Sequence, residues 1–365
     1  MIRHTKKWCY VPLFLVLLGT FVSETLAQSA RLTPVPGSPS CEQAQNLAQQ
    51  GRDLMGQNQY GQAVAEFRSA LDLCPGSQDI ELDLIRAYIK SRKFTKAESA
   101  SKSFLRRYPR SEQGQVLLAY SYLMEQKVQY AGRTLQKLLA QDSKNPEGLK
   151  LMGLTLVFYK EYVLAEQELR AALALQPDDE ESLYALGRVY QTQNNFGPAI
   201  ETFKKLIALN PKYYRAYDNL ALSYEAVGKI AEADTMFEKA ERVAAEVHAK
   251  DDWPYANQAN MLVKNGQADK ALQCIGKAIQ INPRSARNHW IMGKALMEKN
   301  DLRGAEKHAR LSIQLDSSFA KAHYLLGTVY RRQHKPEKAE QEFAKFKQLS
   351  EHSEEPSIKS SSNIK

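Results

Sequence analysis

Apolar and small residues recur along this chain with a period of 34 residues. Alanine marks the register, and its column holds nine members: Ala63, Ala97, Ala131, Ala165, Ala199, Ala233, Ala271, Ala305 and Ala339. Successive members are 34 residues apart, except for a single step of 38 after Ala233. When this column is numbered position 20, position 8 is usually small and position 11 is always Leu or Tyr. Such a period predicts an array of similar units rather than two or three separate domains.

Each unit of the repeat predicts two helices joined by a turn. Positions 4, 7, 8 and 11 follow the i, i+3, i+4, i+7 rule for one face of a helix, and positions 20, 24 and 27 form one face of a second helix. Small residues at positions 8 and 20 are expected to let the two helices approach closely, with large residues at 11 and 24 filling the adjacent space. Polar stretches such as 193–197 separate the helices, and a proline at position 32 usually ends the second helix.

The step of 38 residues indicates a four-residue insertion, which we place at 248–251. Four residues are about one helical turn. We therefore expect the second helix of the sixth unit to run one turn longer, from Ala231 to about Lys250. A true break in the array is the alternative.

These columns resemble the tetratricopeptide repeat family, with a small residue at position 8, Tyr at 11, Ala at 20, Phe at 24 and Pro at 32. The unit 180–213 matches best, through Gly187, Tyr190, Ala199, Phe203 and Pro211. The resemblance covers residues 44–353, although the family's Trp at position 4 is absent and four units lack the proline. It implies an all-α fold, a right-handed superhelical α-solenoid of about nine 34-residue helix-turn-helix repeats. It also implies a concave groove, lined by the first helices, that binds protein or peptide segments.

The two ends of the chain depart from the repeat. Residues 1–27 combine basic residues, an apolar stretch of 14 residues and Thr25-Leu26-Ala27, a pattern typical of a secretory signal peptide. An uncleaved membrane anchor is the alternative; after cleavage we expect no membrane span. Residues 28–43 are predicted to be a proline-rich linker and helix start, and residues 354–365 a disordered tail. We therefore predict an exported protein, periplasmic or extracellular, and the absence of Asn-x-Ser/Thr sequons favours a bacterial envelope.

Composition and motifs exclude several functions. Apolar residues make up 43% and charged residues 25%, as in folded proteins. The net charge of +9 is spread along the chain with acidic residues in every unit, so no nucleic-acid binding is expected. No phosphate-binding loop, nucleophile elbow, zinc-protease motif or Cys-x-x-Cys occurs, so we predict a non-catalytic protein without cofactor or metal. His289 and His323 share position 4, where packing histidines are expected rather than a shared metal site.

Two stretches of the implied groove carry candidate binding residues. In units seven to nine, aromatic, amide and cationic side chains occupy groove positions and suit an extended acidic peptide; an ordinary solvated face is the alternative. These residues are Asn257, Asn260, Arg287, Trp290, Lys294, Lys321, Tyr324 and Arg331. In units three and four the same positions are apolar, which fits either a hydrophobic shelf for a partner or additional core. The residues of this second candidate groove are Tyr120, Leu123, Leu154, Val157 and Phe158.

The cysteines predict one disulfide bond. Ser40-Cys-Glu-Gln43 has the form of a capping box, which puts Cys41 in the first turn of the first helix. Cys74 lies just before Pro75, at the end of the second helix, and these two ends are adjacent in an antiparallel helix pair. A bond between Cys41 and Cys74 is therefore expected in an oxidising compartment, with two merely neighbouring thiols as the alternative. Cys274 is expected to be a free, partly buried thiol.

Taken with the implied fold, these observations predict an exported scaffold or adaptor that binds protein segments without catalysis. Two alternatives stay open. One is an accessory subunit of an envelope enzyme or secretion machine, and the other is a holdase for unfolded chains. The sequence does not identify the partner or the oligomeric state.

Overall fold

The computed structural model describes residues 39–354. Within that range the chain forms nine consecutive pairs of α-helices and no β-strand, which confirms the predicted all-helical repeat fold. The first helices of the pairs are α1 Pro39–Gly56, α3 Gln78–Lys90, α5 Glu112–Met124, α7 Pro146–Phe158, α9 Glu180–Thr192, α11 Tyr214–Ala226, α13 Trp253–Lys264, α15 Ala286–Glu298 and α17 Ala320–Arg332. The second helices are α2 Tyr60–Leu73, α4 Phe94–Arg107, α6 Val128–Gln141, α8 Tyr162–Leu175, α10 Phe196–Leu209, α12 Ile230–Glu246, α14 Ala268–Ile281, α16 Leu302–Leu315 and α18 Pro336–Glu354.

The described residues up to Glu81 form one compact unit, which contains the first helix pair. Ala44 and Ala48 of α1 and Phe67 of α2 are fully buried. Cys41 and Cys74 form a disulfide bond, with their Cα atoms 4.9 Å apart. The bond joins the first turn of α1 to the end of α2, so the two helices are antiparallel.

The described residues from Leu82 to Glu354 form the second compact unit, in which each helix packs against the next. Consecutive odd-numbered helices also contact each other from α5 to α17. Their neighbouring side chains form a continuous face, which we call the odd-helix face. Repeats bury their apolar residues only against adjacent repeats, so the core of this unit runs along the array.

Within a pair, positions 8 and 24 lie directly against each other. Phe203 is fully buried, and its ring occupies the space that a Cβ atom on Gly187 would fill, with Cε1 only 2.6 Å from that point. Leu169 lies over Gly153 in the same way. All nine alanines at position 20 are buried. The small columns therefore permit the close approach of helices that the sequence predicted.

The turn within each pair uses one left-handed residue, at position 15. Its φ angle lies between 58° and 78° in every unit, at Asn58, Arg92, Gln126, Lys160, Asn194, Gly228, Gly266, Asn300 and His334. The following amide donates to the carbonyl at position 11, as from Asn195 to Tyr190. This is the hydrogen bond of a Schellman motif. Only five of the nine residues are Gly or Asn, so the turn was not apparent from the sequence.

Four helices begin with a side-chain cap at position 34 of the preceding unit. Ser111, Asn145, Asp179 and Ser285 each accept a hydrogen bond from the amide three residues later. These bonds satisfy amides that have no partner within the helix. The caps fix where the first helix of the next unit starts.

The four-residue insertion lengthens α12 less than expected. This helix has 17 residues, against 14 in most other second helices, and it ends at Glu246 rather than near Lys250. His248 adopts a left-handed φ of 53°, and the Ala249 amide donates to the Ala244 carbonyl. A second Schellman motif therefore stops the helix. The remaining inserted residues leave the helix, and Asp251 accepts a hydrogen bond of 2.8 Å from the Tyr214 hydroxyl.

The predicted signal peptide 1–27 lies outside the described residues, as do the linker up to residue 38 and residues 355–365 of the predicted tail 354–365. The first helix begins at Pro39, so Ser40 lies within its first turn and is not the N-cap that the sequence predicted. Helix α18 ends at Glu354, one residue beyond the predicted end of the array. Among the helices of residues 39–354, none combines the length and the apolar character needed to cross a bilayer.

Candidate functional site

A cavity of about 360 Å³ opens beside Trp290 on the odd-helix face. We call it the Trp290 cavity. Its lining residues are Trp290, Lys294 and Met297 of α15, Lys321, Tyr324, Leu325 and Thr328 of α17, and Phe346 of α18. Four residues that the sequence predicted for partner binding, Trp290, Lys294, Lys321 and Tyr324, thus line one cavity.

Aromatic rings form much of its wall. The Trp290 ring meets Phe319 edge-on, with 5.8 Å between ring centroids. Tyr324 is 51% exposed, and its ring centroid lies 5.2 Å from that of Phe346. An apolar ligand side chain that buries ~100 Å² against these rings would gain roughly 2.5 kcal/mol from the hydrophobic effect.

Two ammonium groups flank the Trp290 ring. Lys294 Nζ lies 4.7 Å and Lys321 Nζ 5.8 Å from the ring centroid. Lys294 also donates a hydrogen bond of 3.1 Å to Asn260 Oδ1. Burial lowers the pKa of Lys294, and the positive charges of Lys264 and Lys321 lower it further. A ligand carboxylate would relieve this repulsion, so the rim of the cavity favours an acidic ligand.

Arg287 and Asn257 already have partners within the fold. The Arg287 guanidinium lies 4.6 Å from the Trp253 ring centroid and donates a hydrogen bond of 2.6 Å to Asn257 Oδ1. Asn257 Nδ2 donates in turn to both carboxylate oxygens of Asp218, at 2.9 and 3.0 Å. Asn257 is only 5% exposed. These two groups join α11, α13 and α15, and they lie outside the lining of the Trp290 cavity. Arg331 also lies outside it, exposed and 5.5 Å from the Phe343 ring centroid.

The second candidate groove divides between core and surface. Leu123 is 3% exposed and belongs to the core around α5 and α6. Tyr120 and Leu154 are half-buried and pack against that core, and Val157 packs against the next one. Phe158 is 56% exposed. Leu123 is therefore part of the core, which was the alternative interpretation of this groove. Phe158, in contrast, presents an apolar side chain at the surface.

The two histidines at position 4 are buried and hydrogen-bonded. His289 Nε2 lies 3.0 Å from the Pro283 carbonyl, and its Nδ1 lies 3.1 Å from Nδ1 of His308. His323 Nδ1 lies 2.6 Å from a carboxylate oxygen of Glu342. Among the described residues, no group of three or more His, Cys, Asp or Glu side chains is placed to hold a metal ion. These contacts give both histidines a packing role.

Sequence reasoning missed Phe346 and Asp218. Phe346 lies on a second helix, whereas the groove positions implied by the resemblance lie on first helices. Asp218 occupies position 5 of the sixth unit, one of the groove positions searched in later units, so the same column would have found it. Its burial depends on α13, which follows the insertion, and could not be read from the periodicity.

Comparison with protein families identifies the repeat. Models of the tetratricopeptide repeat match residues 54–103, 82–146, 180–213, 214–246, 254–285 and 292–354. The chain belongs to the tetratricopeptide repeat family. Proteins with this fold are generally non-catalytic scaffolds for protein–protein interaction. No curated protein sequence matches the chain.

Solved structures share the fold at low sequence identity. A chain in the crystal structure of the APC/C hetero-tetramer Cut9-Hcn1 is 17% identical with a TM-score of 0.62, over 78% of this chain and 55% of that one. Our chain thus spans little more than half the length of that relative. A tetratricopeptide repeat protein from Parabacteroides merdae is 19% identical with a TM-score of 0.54, over 69% of this chain and 98% of that one.

Proposed function

We propose that this protein is an exported, non-catalytic scaffold that binds segments of other proteins on its odd-helix face. The Trp290 cavity is the main anchoring site. Its ligand is a large apolar side chain next to one or more carboxylates in an extended segment. The apolar side chain enters the cavity, and the carboxylates approach Lys294 and Lys321.

One observation carries this proposal. Side chains from three helices converge on a cavity whose wall is aromatic and whose rim bears two ammonium groups. Binding energy at protein interfaces concentrates in a few Trp, Tyr and Arg residues set in apolar pockets. Trp290 and Tyr324 fulfil that condition, whereas Arg287 is committed to Asn257 and Trp253.

The export part of the proposal has separate support. Residues 1–27 carry the pattern of a secretory signal. The Cys41–Cys74 disulfide bond fits an oxidising compartment, because cytosolic thiols are kept reduced. Cell fractionation and N-terminal sequencing test this part: a mature chain in the envelope or medium that begins at Gln28 is expected. An unprocessed chain found only in the cytosol contradicts it.

A holdase is the second candidate function, because large apolar side chains are exposed near units three and four. They are Met124, Tyr130, Phe158, Val163 and Leu164. Salt separates the two functions. Binding through Lys294 and Lys321 weakens as salt screens the charges, whereas binding of unfolded chains through apolar side chains persists or strengthens.

The binding site is tested with a displayed library of random peptides selected on the chain from Gln28 onward. Selected peptides are expected to carry a Trp, Phe or Leu flanked by Asp or Glu. Trp290→Ala should weaken their affinity at least tenfold, because it removes the wall of the cavity.

Lys321→Ala and Lys307→Ala form a matched pair, since both lysines are exposed on helices but only Lys321 lines the cavity. Lys321→Ala should weaken binding several-fold and flatten its salt dependence, and Lys307→Ala should leave both unchanged. Equal affinities of wild type, Trp290→Ala and Lys321→Ala, with all three folded, would place the site elsewhere.

A further inference from the structure

A second cavity, of about 530 Å³, lies where the insertion meets the odd-helix face. Its wall includes Tyr184 and Arg188 of α9, Tyr214 and Asp218 of α11, Asp251 at the end of the insertion, and Trp253 at the start of α13. We call it the Asp218 cavity. It shares no lining residue with the Trp290 cavity. The extra residues after α12 supply Asp251, so the insertion helps to build this cavity.

The carboxylate of Asp218 lies in its wall without an adjacent cation. Asp218 is 7% exposed, and within residues 39–354 the hydrogen-bond donor to its carboxylate is Asn257 Nδ2. No Lys or Arg nitrogen among the described residues lies within 4.0 Å of it. Arg287 is linked to Asp218 only through Asn257, to which its guanidinium donates a hydrogen bond. By contrast, Asp251 pairs directly with Arg215 at 3.4 Å.

The charges around Asp218 leave it ionised but poorly compensated. The pKa of Asp218 is raised to about 6, mainly by burial and also by the carboxylate of Asp251. The hydrogen bond from Asn257 and the charges of Arg287 and Arg188 oppose that rise. Near pH 7 the group is therefore mostly a carboxylate held in a poorly hydrated position. Such a charge attracts a cation more strongly than an exposed one does.

The remaining wall suits an organic cation. Trp253, Tyr184 and Tyr214 supply aromatic rings, which attract cations placed over their faces. Two arginines also line the cavity and would favour an anion. However, Arg188 and Arg215 are exposed, and Arg215 is held by Asp251 and the Tyr214 hydroxyl. Water and salt screen these two charges more than they screen the buried carboxylate.

We propose that the Asp218 cavity binds the cationic side chain of an arginine or lysine residue, through an ion pair with Asp218 and contacts with the aromatic wall. A guanidinium can form two parallel hydrogen bonds to a carboxylate. The site is independent of the proposed function, because its residues and its charge differ from those of the Trp290 cavity.

The test requires no partner protein. The chain is titrated with N-acetyl-arginine amide and, in parallel, with N-acetyl-citrulline amide, which has nearly the same shape but no charge. The indole N–H signals in nuclear magnetic resonance spectra report which cavity is occupied. The arginine probe should shift the Trp253 signal and leave the Trp290 signal in place, and the citrulline probe should bind at least tenfold more weakly.

Asp218→Asn keeps the shape of the side chain and should weaken binding of the arginine probe at least tenfold. Asp269→Asn, in α14 with its side chain 77% exposed, should change nothing. Equal affinities of the wild-type chain for the arginine and citrulline probes would overturn the proposal. An unchanged affinity of Asp218→Asn for the arginine probe would overturn it as well. Preference for N-acetyl-glutamate amide would overturn it too, since the two arginines would then define an anion site.

Discussion

The ring of Phe203 occupies the space beside Gly187, so a Cβ atom added at residue 187 would lie 2.6 Å from Cε1 of that ring. The same relationship links Gly51 with Phe67 and Gly327 with Phe343. In these three units, position 8 is glycine because the phenylalanine ring at position 24 fills the space of its side chain.

We predict that Gly187→Ala destabilises the fifth repeat by ~1–3 kcal/mol, the usual cost of overpacking a core. Gly276→Ala is the control, because Gly276 lies within α14 and an added Cβ atom there would have no neighbour within 4 Å. That variant should be stabilised by ~0.5–1 kcal/mol, since alanine favours a helix over glycine. The thermal unfolding temperatures of the two variants test this prediction. A Gly187→Ala variant more stable than wild type would show that the Phe203 ring can move away from the added methyl group.

Truncation of the Phe203 side chain tests the same contact between Gly187 and Phe203. Phe203→Ala should cost ~3–5 kcal/mol because the side chain is fully buried. The loss should be local, with faster amide exchange in α9 and α10 and little change in α17 and α18, because repeats contact only their neighbours. Phe158→Ala, at a side chain that is 56% exposed, should cost less than ~0.5 kcal/mol. If Phe203→Ala and Phe158→Ala unfolded at the same temperature, the assignment of Phe203 to a buried position of the repeat would be wrong.

The sequence predicted the helix pairs well because their packing leaves a periodic trace. Each buried column holds residues of similar size in most units, such as the alanines at position 20 and the Leu or Tyr residues at position 11. The turn at position 15 leaves no such trace, because Arg92, Gln126 and Lys160 adopt the left-handed conformation as Asn194 does. The hydrogen bond that follows this residue involves the backbone, so it does not select a side chain.

The candidate site was predicted only in part, because position within a repeat does not determine how a polar side chain is used. Trp290 and Lys294 lie on groove columns and line a cavity. Arg287 and Asn257 also lie on groove columns, yet they bond to each other. The difference comes from Asp218, 39 residues before Asn257, whose contact with Asn257 depends on how the insertion folds. Non-local contacts of this kind break the periodicity.

Arg287 should therefore matter for stability. Arg287→Ala leaves the buried Oδ1 of Asn257 without its donor and removes the cation from Trp253, so we expect a loss of ~1–3 kcal/mol. Arg284→Ala changes an exposed arginine three residues earlier and should cost less than ~0.5 kcal/mol. Urea unfolding compares the two variants. If both unfold like wild type, the Arg287–Asn257–Asp218 chain of hydrogen bonds contributes nothing.

Asp218 should make stability depend on pH. Its pKa of about 6 in the folded chain exceeds the value of ~3.9 expected when unfolded, so between these values the folded state binds more protons. The contribution of this group to stability therefore decreases as pH rises from about 4 to 6. Asp218→Asn removes the free-energy cost of burying an ionised carboxylate, and it keeps an oxygen that accepts the hydrogen bond from Asn257. It should gain ~1–3 kcal/mol over wild type at pH 7 and little at pH 4, by urea unfolding at both values. A variant less stable than wild type at pH 7 contradicts the assignment.

The disulfide bond and the free cysteine can be separated by their reactivity. The chain from Gln28 onward has three cysteines, and after denaturation without reductant it should show one reactive thiol, that of Cys274. In the native protein this thiol should react slowly, because burial and the charge of Glu241 raise its pKa to about 11. Reduction should destabilise the first helix pair by ~4 kcal/mol in the chain-entropy account of a 33-residue separation, whereas Cys274→Ala should leave that pair unchanged. Three reactive thiols in the denatured, unreduced chain would rule out the Cys41–Cys74 bond, and rapid labelling of native Cys274 would contradict its burial.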